Sequence, residues 1–301
     1  MQQFQKYIWL IDTIRRAGKI SLEEISDRWE RNKDLSDYRP LSRSTFNRWK
    51  DAIFSQFGII ISCQRAGGYL YYIENPEDID EDELKKWMLD SFAVSNLISE
   101  NFSLKDRILV NSIPSAHNHL AALLEAMREN HAVTITYCRF NRTESHKFAI
   151  EPYCVKLFED RWYVLARNVQ YDDLRIYGLD RIADLEVTAD TFRLPKDFSA
   201  SDYFSNYYGI VTDKGMKPQR IVIRAYGSHI PYIKSLPLHH SQRLLEDNGE
   251  YADFEFFLTP TYDFVMRLLH VGAMMEVISP ETLRKTMKGW VSDMYNLYKN
   301  D

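Results

Sequence analysis

The sequence predicts a multidomain α+β chain, on three observations. Residues 1–75 hold three amphipathic helical stretches, then two short β-branched runs around a glycine-containing turn. Between residues 132 and 190, five short alternating runs follow one another through tight turns. Beyond residue 191, strand-like and helix-like runs interleave. At 301 residues the chain has room for two or three domains. The expected division is 1–75, a helical linker at 76–131, a small β-barrel at 132–190, and an α+β domain at 191–301.

The first part begins with a helix over residues 4–17, with Tyr7, Ile8, Leu10, Ile11 and Ile14 as its apolar stripe and Gly18 as its stop. Ser21 followed by Glu24 has the spacing of a capping box and opens a second helix carrying Ile25 and Trp29 inward. That helix is expected to fray over residues 32–37. Pro40 and Ser42 announce a third, with Phe46, Trp49 and Ile53 facing in. Residues 59–64 and 69–73 then form a hairpin. Three helices followed by a hairpin is the layout of a winged helix-turn-helix, whose third helix enters the DNA major groove. Candidate contacts to double-stranded DNA are Arg43, Ser44, Thr45, Asn47, Arg48 and Lys50 on the third helix, with Arg65 at the hairpin tip. Residues 1–75 carry 12 Lys and Arg against 9 Asp and Glu, while the whole chain has a net charge of −5. A uniformly basic nucleic-acid binder is therefore excluded, and any such contact is local. So modest a positive balance implies a homodimer reading two half-sites. The other reading of the same surface is a solvated face on a module that packs against a protein.

In the linker, the acidic residues 77–83 lead into a helix over 83–98, where acid suits the helix dipole. A short strand is expected at residues 107–110 and a further helix at 117–128. His117 and His119 are two apart, which does not place two metal ligands on one helical face.

The middle of the chain is organised around residues 161–182, RWYVLARNVQYDDLRIYGLDRI. Two apolar runs flank a polar turn at 168–173. Trp162, Val164 and Ala166 share one face of the first run. Arg175, Tyr177, Leu179 and Arg181 share one face of the second. Arginine is rarely buried unpaired, so a hairpin that places several arginines on sheet faces is a place to hold an anion. Residues 132–140 and 146–155 supply two earlier strands, with Pro152 marking an edge or a bulge. Residues 183–187 supply a fifth. Five short strands in so short a span suggest a small barrel.

Tyr137, Pro152, the run Trp162-Tyr163-Val164 and the run Arg175-x-Tyr177-x-Leu179-Asp180-Arg181-Ile182 together resemble the WYL domain. Val164 stands where the family's name has leucine, and Lys147 or His146 stands where the family usually has an arginine. The resemblance extends to the layout of bacterial WYL transcriptional regulators, with a winged helix before the domain and a WCX-like extension after it. It implies a Sm/SH3-like barrel that senses a nucleotide or single-stranded nucleic acid. Arginine forks onto phosphate and aromatic rings stack on bases. The candidates are Tyr137, Arg139, His146, Lys147, Arg167, Arg175 and Arg181. Trp162 and Tyr163 read more readily as core. Arg181 can instead pair with Asp180, and Tyr137, Arg139, Lys147 and Arg167 can be a solvated face. Arg175 leads, since Asp172 and Asp173 lie in the turn and its own strand face carries no acid.

After residue 191, the order of strands at 219–225, 241–245, 251–258 and 273–278, with helices at 229–235, 261–269 and 280–298, suggests a ferredoxin-like α+β sandwich. The WCX likeness ties this part to dimerisation. Adjacent His239 and His240 point opposite ways on a strand and make no metal site.

Three cysteines without a CxxC pair point to reduced thiols. No run approaches the roughly 20 apolar residues that cross a bilayer, and the first residues lack the pattern of a signal peptide. The expectation is a cytoplasmic DNA-binding transcriptional regulator with an effector-sensing barrel, no membrane contact and no cofactor. The alternative is an accessory ligand- or RNA-binding protein that modulates a partner by contact. No Walker loop, G-x-S-x-G run or paired metal ligands suggest an enzyme.

Overall fold

The computed structural model describes residues 2–36, 38–66, 68–100, 106–109, 117–138 and 144–299. It is a mixed α+β structure with helices first and antiparallel sheets throughout. Two compact units, Met1–Asn111 and Ser112–Asp301, divide it. Among the described residues no helix is long and apolar enough to cross a membrane.

In the first unit α1 (Gln2–Ala17) is followed by β1 (Ile20–Ser21), α2 (Leu22–Arg31), α3 (Lys33–Ser36) and α4 (Arg43–Phe57). Then come β2 (Ile61–Gln64), β3 (Leu70–Ile73), α5 (Glu77–Glu81) and α6 (Glu83–Glu100). The capping box is formed at Ser21: its hydroxyl accepts from the Glu24 amide, and the Glu24 carboxylate accepts from the Ser21 amide. The stretch expected to fray makes the short α3, because the Asn32 side chain caps it by accepting from the Leu35 amide at 3.2 Å. Ser42 caps α4 through the Thr45 amide, and Gly58 closes it in the left-handed region at φ 67°. β2 and β3 form the expected hairpin. β1, not foreseen, pairs with β3 to complete a three-stranded sheet in the order β1-β3-β2. Ile8, Leu10, Ile14, Ile25, Phe46 and Ile53 fill the core beneath. Trp29 meets Trp9 and Trp49 edge-on, each at 5.0 Å between centroids. From α6, Leu89 and Phe92 join this core.

The second unit begins with α7 (His117–Glu129), followed by β4 (His131–Cys138), β5 (Ser145–Phe158), β6 (Arg161–Asn168), β7 (Asp173–Gly178) and β8 (Ile182–Thr191). Leu123 and Ala126 of α7 pack on the sheet. The helical linker expected at 76–131 is thus split, α6 serving one core and α7 another, because each carries an apolar face that has to be covered. The strand expected at 107–110 does not form in its described part. Asp106 and Arg107 lie in a 3-10 turn, Ile108 and Leu109 carry no strand, and Val110 falls outside the described residues.

The five strands make one antiparallel sheet in the order β7-β6-β5-β4-β8. Its two edge strands are consecutive in the chain, joined only by the 3-10 turn Leu179–Arg181. A flat five-stranded sheet would hold those edges about 19 Å apart, whereas four residues span at most about 14 Å. The sheet is therefore curled. Tyr153 is the bulged residue between Pro152 and Cys154. The β4 ladder on β5 extends only to Ile150, so Pro152 removes no donor from it.

The chain continues through α8 (Ala200–Phe204), β9 (Gln219–Tyr226), α9 (His229–Ser235), β10 (Arg243–Asp247), β11 (Tyr251–Leu258), α10 (Tyr262–Val271), β12 (Met275–Ser279) and α11 (Glu281–Tyr298). The four strands pair antiparallel in the order β10-β11-β9-β12, with a βαββαβ element order. Ile221, Ile223, Phe254, Phe256, Phe264 and Leu268 form the core between sheet and helices.

Candidate ligand site and nucleic-acid interface

The curled sheet places its arginines in three settings. Glu151 lies opposite Arg167 in the β5–β6 ladder. Arg167 Nε and Nη2 donate to its two carboxylate oxygens at 2.7 and 2.6 Å, and Nη1 donates to Asp172 at 2.6 Å. The hydrogen bonds to Glu151, then those to Asp172, push the Arg167 pKa well above its ordinary value. Arg167, a sequence candidate for the ligand, is thus engaged by the protein itself.

The turn end of β7 holds Arg175. Its guanidinium stacks 4.3 Å from the Tyr171 ring, and its Nε is 3.6 Å from Asp173 Oδ2. The expectation that its strand face lacks an acid is corrected: Asp173, two residues back, begins β7 and shares that face. Lys214 donates to the same carboxylate at 3.2 Å. That hydrogen bond, with the Lys214 and Arg175 charges, holds the Asp173 carboxyl below its ordinary pKa. The turn itself is built by buried Asn168, whose Oδ1 accepts from the Gln170 and Tyr171 amides and whose amide donates to the Tyr177 hydroxyl.

The opposite end of β7 forms a second corner. The common face expected for Arg175, Tyr177, Leu179 and Arg181 stops at Gly178, where the chain enters the 3-10 turn. The Arg181 guanidinium lies over the Tyr137 ring at 5.2 Å. Asp180 takes Arg161, at 2.8 Å. A Cβ added to Gly178 would sit 2.7 Å from Asp180 Oδ1 and 3.0 Å from Arg181 Nε, so both side chains fold over a bare backbone.

Tyr137 is buried, not on a solvated face. Its hydroxyl accepts from the Gly178 amide at 3.2 Å, its ring meets Tyr177 edge-on, and burial raises its pKa against the opposing pull of Arg181. His146 is its exposed cross-strand partner. Lys147 reaches Glu186 at 3.0 Å across exposed surface. Arg139 lies outside the described residues. Tyr137, His146 and Arg181 with Arg161 thus gather at one corner, while Arg175 and Arg167 lie at the other end. Arg161, Glu151 and Tyr171 are the participants that the sequence reading missed. The Glu151–Arg167 pairing requires the strand register, but Tyr171 lies only four residues from Arg175 on a short turn. Burial raises the Cys154 thiol to about 11, leaving it unreactive. Among the described residues, no group of three or more His, Cys, Asp or Glu is placed to hold a metal ion.

In the first unit, Phe46, Trp49 and Ile53 bury one face of α4. Arg43, Ser44, Asn47 and Arg48 are exposed on the other, and Lys50 is half-buried. Among the described residues none of Arg43, Arg48, Lys50 and Arg65 has an acid within ion-pair distance. Thr45 is partly taken up in the cap, its Oγ1 accepting from Ser42 at 2.9 Å. Arg65 is exposed where the β2–β3 hairpin turns.

Residues 118–187 match the family model of the WYL domain. The chain contains a WYL domain. Its matched span runs from α7 into the first half of β8, taking in β4 to β7 whole. No curated protein matches the sequence. Among solved structures the chain is similar to proteasome accessory factor B/C (PafBC) of Arthrobacter aurescens, at 18% identity and a TM-score of 0.29. That match covers 60% of this chain and 27% of the other, so the chain spans about a quarter of that protein's length. It is also similar to a CRISPR Cas-related protein, at 9% identity and a TM-score of 0.38, over 98% of this chain and 86% of that one. Both scores lie too low to establish a shared fold.

Proposed function

We propose that the chain is a cytoplasmic DNA-binding transcriptional regulator whose WYL domain senses an anionic effector. The observation that carries the reading is α4. Its exposed face presents Arg43, Ser44, Asn47 and Arg48, with no acid among the described residues within ion-pair distance of the arginines, on a helix anchored by a three-stranded sheet. Three helices with that sheet support a winged helix-turn-helix, in which α4 enters the major groove and the hairpin carrying Arg65 reaches backbone or minor groove. The curled five-stranded sheet supports a Sm/SH3-like barrel, and the βαββαβ sheet a ferredoxin-like domain in the WCX position.

The effector is a nucleotide or single-stranded nucleic acid. Its phosphate takes the corner of Arg161 and Arg181, displacing Asp180 from Arg161, and only a single strand several nucleotides long also sets a base on Tyr171 beside Arg175, at the other end of β7. A homodimer sets the spacing of two α4 helices, and effector binding alters that spacing. No catalytic step or cofactor enters this reading.

A gel-shift titration of the full chain on the DNA upstream of its own gene tests it, at low salt and with or without nucleotides. Sequence-selective binding that Arg43→Ala with Arg48→Ala abolishes supports the reading. Absence of selective binding under every condition sinks it and favours a module that modulates a partner by contact.

A further inference from the structure

Helix α10 carries a guanidinium that the described residues leave unpaired. Arg267 is half-buried, and its Nε is shut off from solvent without a hydrogen-bond acceptor. Among the described residues its side chain makes no ion pair either. A buried donor left unmade is costly, and arginine is rarely buried without a partner. Two groups beside it share that state. His229 opens α9, and Tyr208 lies on the segment between α8 and β9. Both are half-buried, and neither the imidazole nor the hydroxyl has a hydrogen-bond partner among the described residues. The Tyr208 ring meets Phe264, one turn before Arg267 on α10, at 5.9 Å between centroids, and Phe158 at 5.6 Å. The three groups feel one another. Burial, and then the Arg267 charge, lowers the His229 pKa, while burial raises that of Tyr208 against the pull of Arg267. The nearby acids do not quench the arginine. Asp263, four residues earlier on α10, accepts from the Ile210 and Val211 amides at 2.7 Å each. Glu159 is exposed in the β5–β6 turn.

We propose that Arg267, His229 and Tyr208 form a phosphate site of their own. The guanidinium fork supplies the charge and parallel donors. A planar carboxylate is satisfied by that fork alone. A tetrahedral phosphate has further oxygens for an imidazole N–H and a tyrosyl O–H, and here those donors come from two other elements. The site shares no residue with the corner of Arg161 and Arg181, so it stands whether or not that corner holds an effector.

Thermal melts of the full chain test it, in sodium phosphate, in AMP, and in sodium chloride of matched ionic strength. The wild type is expected to melt higher with phosphate or AMP than in chloride, because a ligand of the folded state stabilises it. Arg267→Gln, measured against its own melt in chloride, loses that rise through a weakening of about tenfold or more. His229→Gln reduces the rise. Arg220→Gln, which breaks a surface pair with Glu255 in the same part of the chain, keeps it. Equal rises with the two probes assign free phosphate, and a larger rise with AMP assigns the phosphate of a nucleotide. No rise with either probe overturns the proposal, as does a rise that survives Arg267→Gln. A rise that Arg161→Gln removes as fully as Arg267→Gln moves the phosphate to the other corner and overturns a separate site. If Arg267→Gln does not fold, His229→Gln and Tyr208→Phe decide in its place, and an undiminished rise in both overturns the site.

Discussion

Arg167 holds Glu151 through two parallel hydrogen bonds of 2.7 and 2.6 Å across the β5–β6 ladder. The carboxylate is buried and the guanidinium is 38% exposed, so the pair is anchored on one side and wet on the other. Glu151→Ala removes the buried acceptor and leaves Arg167 only its exposed partner Asp172. The expected loss is about 1–2 kcal/mol, below the figure for a fully buried pair because solvent screens the arginine. Urea unfolding of the two proteins side by side reads it directly, and no shift in midpoint would show the pair to be dispensable.

Stability is expected to fall as the solution is acidified from pH 6.5 to pH 4, through His239. Burial, and then the neighbouring His240, lowers the His239 pKa from 6.5 to about 4, with Lys156 pulling the same way. Across that window the unfolded chain binds a proton that the folded chain refuses. Protonation therefore favours unfolding, by at most about 3 kcal/mol once complete. His239→Gln flattens that part of the stability curve. Thermal melts of both proteins at intervals from pH 7 to pH 4 measure it, and parallel curves would exclude His239 as the source.

Gly178→Ala separates stability from ligand binding. The new methyl group meets the flexible ends of Asp180 and Arg181, which can swing away, so the melting point is expected to change little, by under about 1 kcal/mol of stability. The displaced groups are the partner of Arg161 and the cation over Tyr137. Nucleotide affinity is expected to change severalfold, as measured by calorimetric titration. Unaltered affinity would place the effector away from this corner.

Arg65→Ala is expected to weaken binding about equally on all DNA sequences and to lower the salt slope by about one unit, the mark of a single phosphate contact. Arg48→Ala, on the exposed face of α4, is expected to relax preference at particular positions instead. Salt titrations on cognate and scrambled duplexes distinguish them. If Arg65→Ala also changes sequence preference, the hairpin reads bases.

Helices were legible because capping and periodicity are local. Ser21 with Glu24, Ser42 and Gly18 mark boundaries that the structure reproduces within two residues. Pro152 likewise flagged the bulge at Tyr153. The two-residue β1 escaped, since so short a pairing leaves no alternation to read. The charges behaved in the same way. Arginine positions were visible, but their partners were not: Glu151 reaches Arg167 through a register that the bulge shifts, and Asp180 accepts from Arg161, nineteen residues away. Nothing in the periodicity showed that the chain leaves strand geometry at Gly178, and that turn decides which way Arg181 points.

The curled sheet has one covalent junction between its two edge strands. Its first and last strands in space meet in sequence only at Leu179, Asp180 and Arg181, and the latter two carry the charges of the candidate corner. A ligand that draws Arg181 off Tyr137, or Asp180 off Arg161, pulls on the covalent link between the two edge strands. Occupancy of so small a site then becomes a change in how tightly the whole sheet is curled, a mechanical signal that its neighbours along the chain can receive.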